Sequence, residues 1–286
     1  MGIIRKSVFH FVAVILFLCL SALADRTQAA EQPAHSTIYP GKLFITGSST
    51  MCPLIAEIGK RFQSLHPEVR VEVQCGGSGR GVSDALSGRA DIGMVSRTLT
   101  DKEKNLYSFP MARDGVSIIL HKSNPVKSLS DAQIVTIYTG KITNWKKAGG
   151  RDAPITVINA KKSYSSAELF VHYFKIDYDD IKAAMVAGDN PTRITAIIDN
   201  PNAIAYVSSG EAERKAASGG QIKLLPIHNV TPTNRNIITG NYPITRPLML
   251  VTNRLPSGMA KAFIDFCLSS SVVDIIERYD FVPYED

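Results

Sequence analysis

Two loops rich in glycine and hydroxyl side chains are the part of this chain best suited to chemistry. The first spans residues 47–50 (Gly-Ser-Ser-Thr) and the second spans residues 76–81 (Gly-Gly-Ser-Gly-Arg-Gly). Each follows an apolar run that predicts a strand, and each leads into a helical pattern, which begins near Pro53 or Val82. A helix N-terminus presents unpaired N–H groups and a partial positive charge, and glycine lets the backbone approach an oxyanion closely. Because such loops converge at one crevice of an open α/β sheet, the pattern predicts a receptor for a small oxyanion.

The second loop lacks the features of an enzyme motif. No Gly-Lys-Ser/Thr follows it as a P-loop requires, Val82 stands where a dinucleotide-binding loop has its third glycine, and Arg80 stands where a nucleophile elbow has glycine. The six histidines are scattered, without the spacing of metal ligands. The sequence therefore predicts a binding protein that is not an enzyme and uses no cofactor or metal. A phosphatase would need a nucleophile with a base, or a metal site.

Asp91 is the acidic residue with a candidate role at the anion loops. An ionised carboxylate only accepts hydrogen bonds, so it suits an oxyanion that still carries a proton. Phosphate carries such a proton and sulfate does not, so Asp91 would favour phosphate over sulfate. Arg97 could neutralise both the acid and the anion. The alternative is that Asp91 is an acidic residue of a surface turn or helix cap.

Residues 1–24 have the pattern of a signal peptide. The basic pair Arg5 and Lys6 precedes the apolar run 8–20, and residues 22–24 resemble a cleavage site, with a site near Ala30 as the alternative. A flexible tail is predicted over 25–36, and the protein is predicted to be periplasmic or secreted. Loss of the basic pair lowers the formal charge from +6 to +4. This charge is spread out, without the basic runs of nucleic-acid-binding proteins, so no nucleic acid partner is expected.

Three cysteines remain after removal of the signal peptide: Cys52, Cys75 and Cys267. Cys52 follows the first anion loop and Cys75 directly precedes the second, so convergence of the loops would bring both sulfurs within reach of a disulfide. The alternative is that both are small buried apolar residues. Cys267 lies on an apolar helical face and is predicted to belong to the core.

Strand and helix patterns alternate along the chain, which predicts an α/β fold with mainly parallel sheets. Ser130 is a predicted N-cap for a helix over 131–138. Helices are also predicted from Leu99 onward, over 179–187 and over 258–268.

The C-terminal strand and helices are too few to form a domain of their own. We therefore predict two lobes, the first formed by 37–115 plus 240–286 and the second by 116–239. The chain would cross between them near 113–118 and 236–248, and such a double hinge lets two lobes close around a ligand.

An ordered set of motifs over nearly all of residues 42–284 resembles the phosphate-binding proteins of phosphate ABC transporters. Besides the two anion loops, the set contains Gly88-Arg89-Ala90-Asp91-Ile92-Gly93, Ser96-Arg97, Asn124-Pro125, Ile142-Thr143-Asn144-Trp145, Asn202-Ala203-Ile204-Ala205-Tyr206-Val207, Tyr242-Pro243, Arg246-Pro247-Leu248 and Phe281-Val282-Pro283. The resemblance implies a two-lobed periplasmic-binding-protein fold of type II. It also implies capture of inorganic phosphate and delivery to a membrane ABC permease; we expect a monomer.

In the first lobe, the resemblance assigns phosphate-binding roles position by position. Ser49 and Thr50 match the first phosphate loop, and Ser78 and Gly79 match the second. Asp91 matches the acid that accepts the phosphate proton.

In the second lobe, the chain departs from the family. The family has an arginine before a Gly-Ser-Gly-Thr loop, whereas residues 161–166 here read Lys-Lys-Ser-Tyr-Ser-Ser. The alignment places Ser165 and Ser166 at the Gly-Thr pair and leaves Lys161 or Lys162 in place of the arginine. Lysine supplies charge without a planar bidentate fork.

The leading hypothesis is an exported receptor that binds phosphate between the lobes. The altered loop at 161–166 motivates an alternative, in which the same fold serves as a solitary sensor or interaction protein for another oxyanion.

Overall fold

The structure is a computed structural model that describes residues 41–284, so the predicted signal peptide and tail lie outside the described residues. The strands are β1 (Gly41–Gly47), β2 (Val69–Cys75), β3 (Ile92–Val95), β4 (Tyr107–His121), β5 (Thr156–Ala160), β6 (Met185–Ala187), β7 (Ala203–Ser208), β8 (Ile222–Leu224), β9 (Thr245–Thr252) and β10 (Val282–Pro283). The helices are α1 (Cys52–Leu65), α2 (Ser78–Leu86), α3 (Asp131–Tyr138), α4 (Ser165–Phe174), α5 (Asn190–Asp199), α6 (Ser209–Ala217), α7 (Asn234–Ile238), α8 (Gly258–Leu268) and α9 (Val273–Arg278). Over residues 41–284, no helix has the length and apolar character needed to span a bilayer.

One mixed sheet connects the strands in the order β2-β1-β3-β9-β4-β7-β5-β6, with β8 and β10 also paired to β4. Its two ends are parallel, as the alternating pattern predicts, because β1 pairs with β2 and β3, and β5 pairs with β6 and β7. Its centre is antiparallel, since β4 and β9 run against their neighbours. β4 pairs with β9 as far as Gly115 and with β7 from Val116, so one long strand joins the two parallel ends.

Two main hydrophobic cores lie at the two ends of this sheet. The first core is formed chiefly by β1, β3, α1, α8 and α9, and Cys267 is buried in it as predicted. The second core is formed chiefly by β7, α3, α4 and the C-terminal part of β4. β7 is buried on both faces, because Ile204 and Tyr206 point into this core while Ala205 and Val207 pack under α5 and α6.

The helix predicted over 179–187 is wrong, and α5 was not predicted. Met185–Ala187 instead pairs in parallel with Ile158–Ala160, so tertiary pairing outweighs the local pattern. α5 has ordinary start signals, since Asp189 accepts a hydrogen bond from the Thr192 N–H at 2.7 Å. The helix predicted to begin at Leu99 is also wrong, because this segment forms only one 3-10 turn, Asp101–Glu103. The Ser130 cap and the helices Asp131–Tyr138 and Gly258–Leu268 are confirmed.

Three glycines let β1, β3 and α2 approach one another closely. A Cβ on Gly47 would lie 2.3 Å from the Met94 carbonyl oxygen, and one on Gly81 would lie 2.6 Å from the same atom. A Cβ on Gly93 would lie 2.4 Å from the Gly81 carbonyl oxygen. The first turn of α2 is therefore held directly against the carboxyl ends of the two strands.

A disulfide joins Cys52 to Cys75, whose Cα atoms are 5.6 Å apart. Cys52 is the first residue of α1, and Cys75 is the last residue of β2. The bond therefore ties the start of the helix after the first anion loop to the start of the second anion loop.

Reduction of this disulfide is expected to lower the free energy of unfolding by about 3 kcal/mol. The reason is that the unfolded chain gains conformational entropy when the loop between the two cysteines is no longer closed. Urea unfolding with and without reductant measures the change. The matched control is the Cys52→Ser/Cys75→Ser variant, in which reductant should have no effect. An unchanged unfolding midpoint for the reduced wild type would contradict this role.

Candidate anion-binding site

Six buried hydroxyl side chains come together between the two cores, and we call them the hydroxyl cluster: Ser48, Thr50, Ser78, Ser96, Ser165 and Ser166. Three helices begin among them. Ser78 is the first residue of α2, Ser165 and Ser166 are the first two of α4, and Thr50 lies two residues before α1. Partial positive charge from three helix N-termini is thereby directed at one small volume, which favours a bound anion.

Ser96 lies at the centre of the hydroxyl cluster. Its Oγ is 2.8 Å from Ser48 Oγ, 3.3 Å from Ser78 Oγ and 2.6 Å from Ser165 Oγ. Ser96 directly follows β3, so the carboxyl end of that strand delivers it to the N-termini of α2 and α4. Ser96 was not among the predicted binding residues, although Ser96-Arg97 belongs to the set of motifs that carries the family resemblance.

Aromatic packing fixes the position of α4. Phe170 stacks on Tyr206, with ring centroids 4.1 Å apart and an angle of 9° between the planes. The Tyr206 hydroxyl in turn bonds Asn159 on β5. The hydroxyls of Ser165 and Ser166 are therefore held by a helix that is anchored in the second core.

A fully buried ion pair, Arg246 with Asp114, adjoins the hydroxyl cluster. Asp114 Oδ2 accepts from Arg246 Nε at 3.0 Å and from Nη2 at 2.7 Å. Two further N–H groups of the guanidinium donate to Ser165 Oγ at 3.1 Å and to Thr50 Oγ1 at 3.0 Å. Arg246 lies on β9 and Asp114 on β4, in the antiparallel centre of the sheet. From there Arg246 contacts a hydroxyl that precedes α1 and a hydroxyl at the start of α4.

Arg193, on α5, is a second buried cation beside the cluster. Its Nη2 donates to Ser166 Oγ at 3.2 Å and to Asn190 Oδ1 at 2.7 Å, and its Nη1 donates to the Tyr206 carbonyl. Burial is the main cause that lowers the pKa of this guanidinium. These direct partners are neutral, so Arg193 brings positive charge to the cluster without a carboxylate in contact.

Asn190 links the two arginines to an acid. Its amide nitrogen donates to Thr50 Oγ1 at 3.4 Å and to Glu211 Oε2 at 2.8 Å. Burial raises the pKa of Glu211. The polar groups around the cluster thus form one connected network, in which Asn190 lies between Glu211 and the Thr50 hydroxyl.

Asp91 does not reach the cluster. It precedes β3, whereas Ser96 follows it, so the two lie at opposite ends of a four-residue strand. Its exposed carboxylate accepts the Phe44 N–H at 2.7 Å. The structure thus agrees with the alternative of a surface acid, which caps a strand edge, and the anticipated proton-accepting role has no support in this geometry.

Asp91→Asn is therefore expected to leave ligand selectivity unchanged, and to alter the free energy of unfolding by about 1 kcal/mol or less. Competition of phosphate with sulfate, measured on the variant and on the wild type, tests this expectation. A selectivity shift of tenfold or more, about 1.4 kcal/mol, would return Asp91 to the binding site.

Arg97 and Lys161 are also not among the residues that hydrogen-bond the cluster in the described part of the chain. The Arg97 guanidinium bonds both oxygens of Glu103, at 2.7 Å and 2.8 Å, and its Nε lies 2.5 Å from Glu168 on α4. Arg97 therefore links the segment after β3 to α4, and its charge is balanced by these two carboxylates. Lys161 is exposed, and Lys162 pairs with Asp179. The cations at the cluster are Arg246 and Arg193 instead.

The other predicted residues lie at or beside the cluster. Thr50, Ser78, Ser165 and Ser166 are members of it. Ser49 is half-buried next to Thr50. Gly79 lies in the first turn of α2, where a Cβ would be 3.5 Å from the Ser163 carbonyl, so the second anion loop faces the start of α4.

Comparisons with known proteins agree with this architecture. The family model of the PBP superfamily domain matches residues 27–271. The chain is 31% identical to the phosphate-binding protein PstS of Bacillus subtilis over 251 residues, which cover 86% of this chain and 82% of that protein. It is 27% identical to the PstS protein of Borreliella burgdorferi, with 83% of this chain and 88% of that protein covered.

Solved structures give the same picture. A putative phosphate ABC transporter substrate-binding protein from Clostridium perfringens with bound phosphate superposes with a TM-score of 0.79 at 30% identity, covering 86% of this chain and all of that one. An ABC-type phosphate transport receptor from Vibrio cholerae gives a TM-score of 0.70 at 30% identity, covering 84% and 99%.

The mixed α/β sheet, with helix N-termini gathered around a buried polar cluster, is thus the architecture of a periplasmic-type binding protein. The chain belongs to the PBP superfamily and, within it, to the family of PstS phosphate-binding proteins.

Proposed function

We propose that this protein binds one inorganic phosphate at the hydroxyl cluster, between two lobes that correspond to the two cores. The observation that carries the proposal is the convergence of six buried hydroxyls and three helix N-termini on the arginines Arg246 and Arg193. Hydroxyls and helix N-termini supply donors in several directions, as a tetrahedral oxyanion requires.

Charge supports the same ligand. Arg246 is balanced by Asp114, whereas the direct partners of Arg193 are neutral. A buried positive charge is stabilised when an anion binds close to it. Thr50, Ser78, Ser96, Ser165 and Ser166 would donate to phosphate, while the backbone around Ser49 and Gly79 approaches it from the two loops.

We further propose that the protein is exported and delivers phosphate to an ABC permease, as the names of its relatives indicate for them. The lobes 37–115 plus 240–286 and 116–239 would close on the ligand by bending where β4 and the segment before β9 cross between the cores. The alternative of a solitary sensor rested on the missing arginine near residue 161. Arg246 and Arg193 supply guanidinium groups from other elements, which removes that motive.

Calorimetric titration of exhaustively dialysed protein lacking residues 1–24 tests the proposal. The expected result is one phosphate per chain, with affinity lowered at least tenfold by Ser78→Ala or Ser165→Ala, since each removes a buried donor to a charged group. The matched control Ser64→Ala changes an exposed serine on α1 and should bind as the wild type does. Absence of phosphate binding by folded, ligand-free protein would refute the proposal.

A further inference from the structure

The disulfide between Cys52 and Cys75 lies next to both anion loops and joins a buried residue to an exposed one. We propose that it is a thiol–disulfide exchange site, at which a dithiol opens the bond in the folded protein. We further infer that its redox state sets the affinity for phosphate, which is high when the bond is closed and lower when it is open. The coupling to phosphate rests on the proposed function, whereas the exchange itself does not.

Cys75 is the half of the disulfide that solvent reaches. It is exposed at the end of β2, an edge strand of the described sheet, whereas Cys52 is only 5% exposed. Arg80 Nη1 donates to the Cys75 carbonyl at 3.1 Å. Arg80 and Arg89 share the single carboxylate of Asp84, which leaves a net positive charge near Cys75. A thiolate is attracted by this charge and therefore attacks Cys75 Sγ rather than Cys52 Sγ.

The sulfur that this attack releases lies at a helix N-terminus. Cys52 is the first residue of α1, and its N–H donates to the Ser48 carbonyl at 3.0 Å. The partial positive charge of a helix N-terminus stabilises a thiolate. Because a stabilised thiolate leaves more readily, the positions of both sulfurs favour opening of the bond in the folded protein.

The exchange takes two steps and transfers two electrons. In the first step, one thiolate of the dithiol forms a bond to Cys75 Sγ, the protein S–S bond breaks, and its electron pair leaves on Cys52 Sγ. In the second step, the other thiolate of the dithiol attacks the dithiol sulfur that is bonded to Cys75 and releases Cys75 as a thiolate. The dithiol is oxidised to a disulfide, the protein disulfide is reduced to two thiols, and the two protons of the dithiol pass through solvent to the protein.

Cys267 is a built-in control for this chemistry. It is buried in the first core, and burial raises the pKa of its thiol well above the usual range. Because the thiolate is the reactive form, Cys267 neither attacks the disulfide nor reacts with a reagent while the core stays packed. Its reaction would therefore report unfolding of the first core.

The disulfide is close in sequence to both loops that would hold phosphate. Thr50 lies two residues before Cys52, and Ser78 lies three residues after Cys75. Both hydroxyls belong to the hydroxyl cluster. The bond, across which the Cα atoms are 5.6 Å apart, therefore limits how far one loop can move from the other.

Opening of the bond is expected to loosen the two loops without unfolding them. Gly76 and Gly77 donate their N–H groups to the Gly47 carbonyl at 2.8 Å and 2.9 Å, and these hydrogen bonds do not involve the sulfurs. In the reduced protein, phosphate must order loops that the closed bond had already restrained, which costs affinity. We expect the reduced protein to bind phosphate about tenfold more weakly.

The redox state would thereby link phosphate capture to the compartment. Thiols stay reduced in the cytosol, whereas disulfides form and persist in oxidising compartments outside it. An exported receptor with this site would bind phosphate weakly before export and tightly after it.

Alkylation tests the exchange site. Oxidised protein lacking residues 1–24 is treated with dithiothreitol under native conditions and then with iodoacetamide, and mass spectrometry locates the labelled cysteines. We expect label on Cys75 while Cys267 stays unlabelled. Label on both residues together, or no label on Cys75 until denaturant is added, would show that the bond opens only when the protein unfolds, and would overturn the exchange site.

Calorimetric titration with phosphate tests the coupling. Oxidised wild type is expected to bind about tenfold more tightly than reduced wild type. The variant Cys52→Ser/Cys75→Ser should bind as the reduced wild type does, with or without reductant. Equal affinities of the oxidised and reduced wild type would overturn the coupling. If the oxidised, folded protein binds no phosphate, the proposed function itself fails, and the alkylation result still decides on the exchange site.

Reciprocity gives a second measurement of the coupling. If closure of the bond raises phosphate affinity about tenfold, phosphate that saturates both forms must favour the closed bond by the same factor. In mixtures of reduced and oxidised dithiothreitol, phosphate should therefore shift the midpoint of reduction by about 30 mV to more negative potential. A midpoint that is the same with and without phosphate would contradict the coupling.

Discussion

Replacing Arg246 with methionine is expected to abolish phosphate binding and to lower the free energy of unfolding by about 3–5 kcal/mol. The side chain is fully buried and is the direct ionic partner of the equally buried Asp114. Its loss leaves a carboxylate without a counter-ion and removes the donors to Thr50 and Ser165. Urea unfolding measures the stability, and calorimetry measures the binding.

A double variant separates the two effects of Arg246. Asp114→Asn combined with Arg246→Met removes both charges, and replacement of a whole buried ion pair by neutral groups is often close to neutral for stability. The double variant should recover much of the lost stability but none of the phosphate affinity. Recovery of binding together with stability would show that Arg246 serves the fold alone.

Gly47→Ala is expected to have the second largest effect, a loss of about 2–5 kcal/mol of stability together with weakened phosphate binding. Gly47 has φ of +135°, and a Cβ there would meet the Met94 oxygen at 2.3 Å. Its own carbonyl accepts the N–H groups of Gly76 and Gly77, at 2.8 Å and 2.9 Å. The substitution therefore shifts both anion loops at once.

Gly88→Ala is the matched control for this prediction. Gly88 also has a positive φ, +71°, but a Cβ there would find no atom within 4 Å. The free energy of unfolding of this variant should fall by only about 1–2 kcal/mol, the cost of a Cβ at positive φ. Its phosphate affinity should equal that of the wild type. Equal losses in the two variants would show that the close approach of β1, β3 and α2 contributes nothing.

The parts of the site that the sequence reveals are those with a local signature. Thr50 and Ser78 lie in the two loops rich in glycine and hydroxyl side chains, so loop composition was sufficient to single them out, whereas Ser165 was placed by the resemblance to the family. Arg246 and Asp114 carry no local signal. They meet because β9 and β4 pair across 132 residues of chain, and one sequence contains no record of that pairing. Arg193 was missed because its helix, α5, was missed.

The position of Asp91, away from the hydroxyl cluster, was not apparent from the sequence for a related reason. An acidic residue next to an apolar strand gives the same local sequence pattern at either end of the strand. Only the residue at the carboxyl end of the strand lies near the two anion loops. Asp91 enters β3 and Ser96 leaves it. The parallel ends of the sheet followed from strand and helix alternation, whereas the antiparallel centre depends on where β9 returns, which is a long-range event.

A crystal structure of the protein with bound phosphate would show whether the hydroxyl cluster holds the anion. We expect a tetrahedral anion within hydrogen-bond distance of Ser78, Ser96 and Ser165, with Arg246 and Arg193 beside it. Phosphate bound elsewhere, for example in the cavity of about 650 Å³ lined by Arg214 and Lys215, with the hydroxyl cluster unchanged, would contradict it.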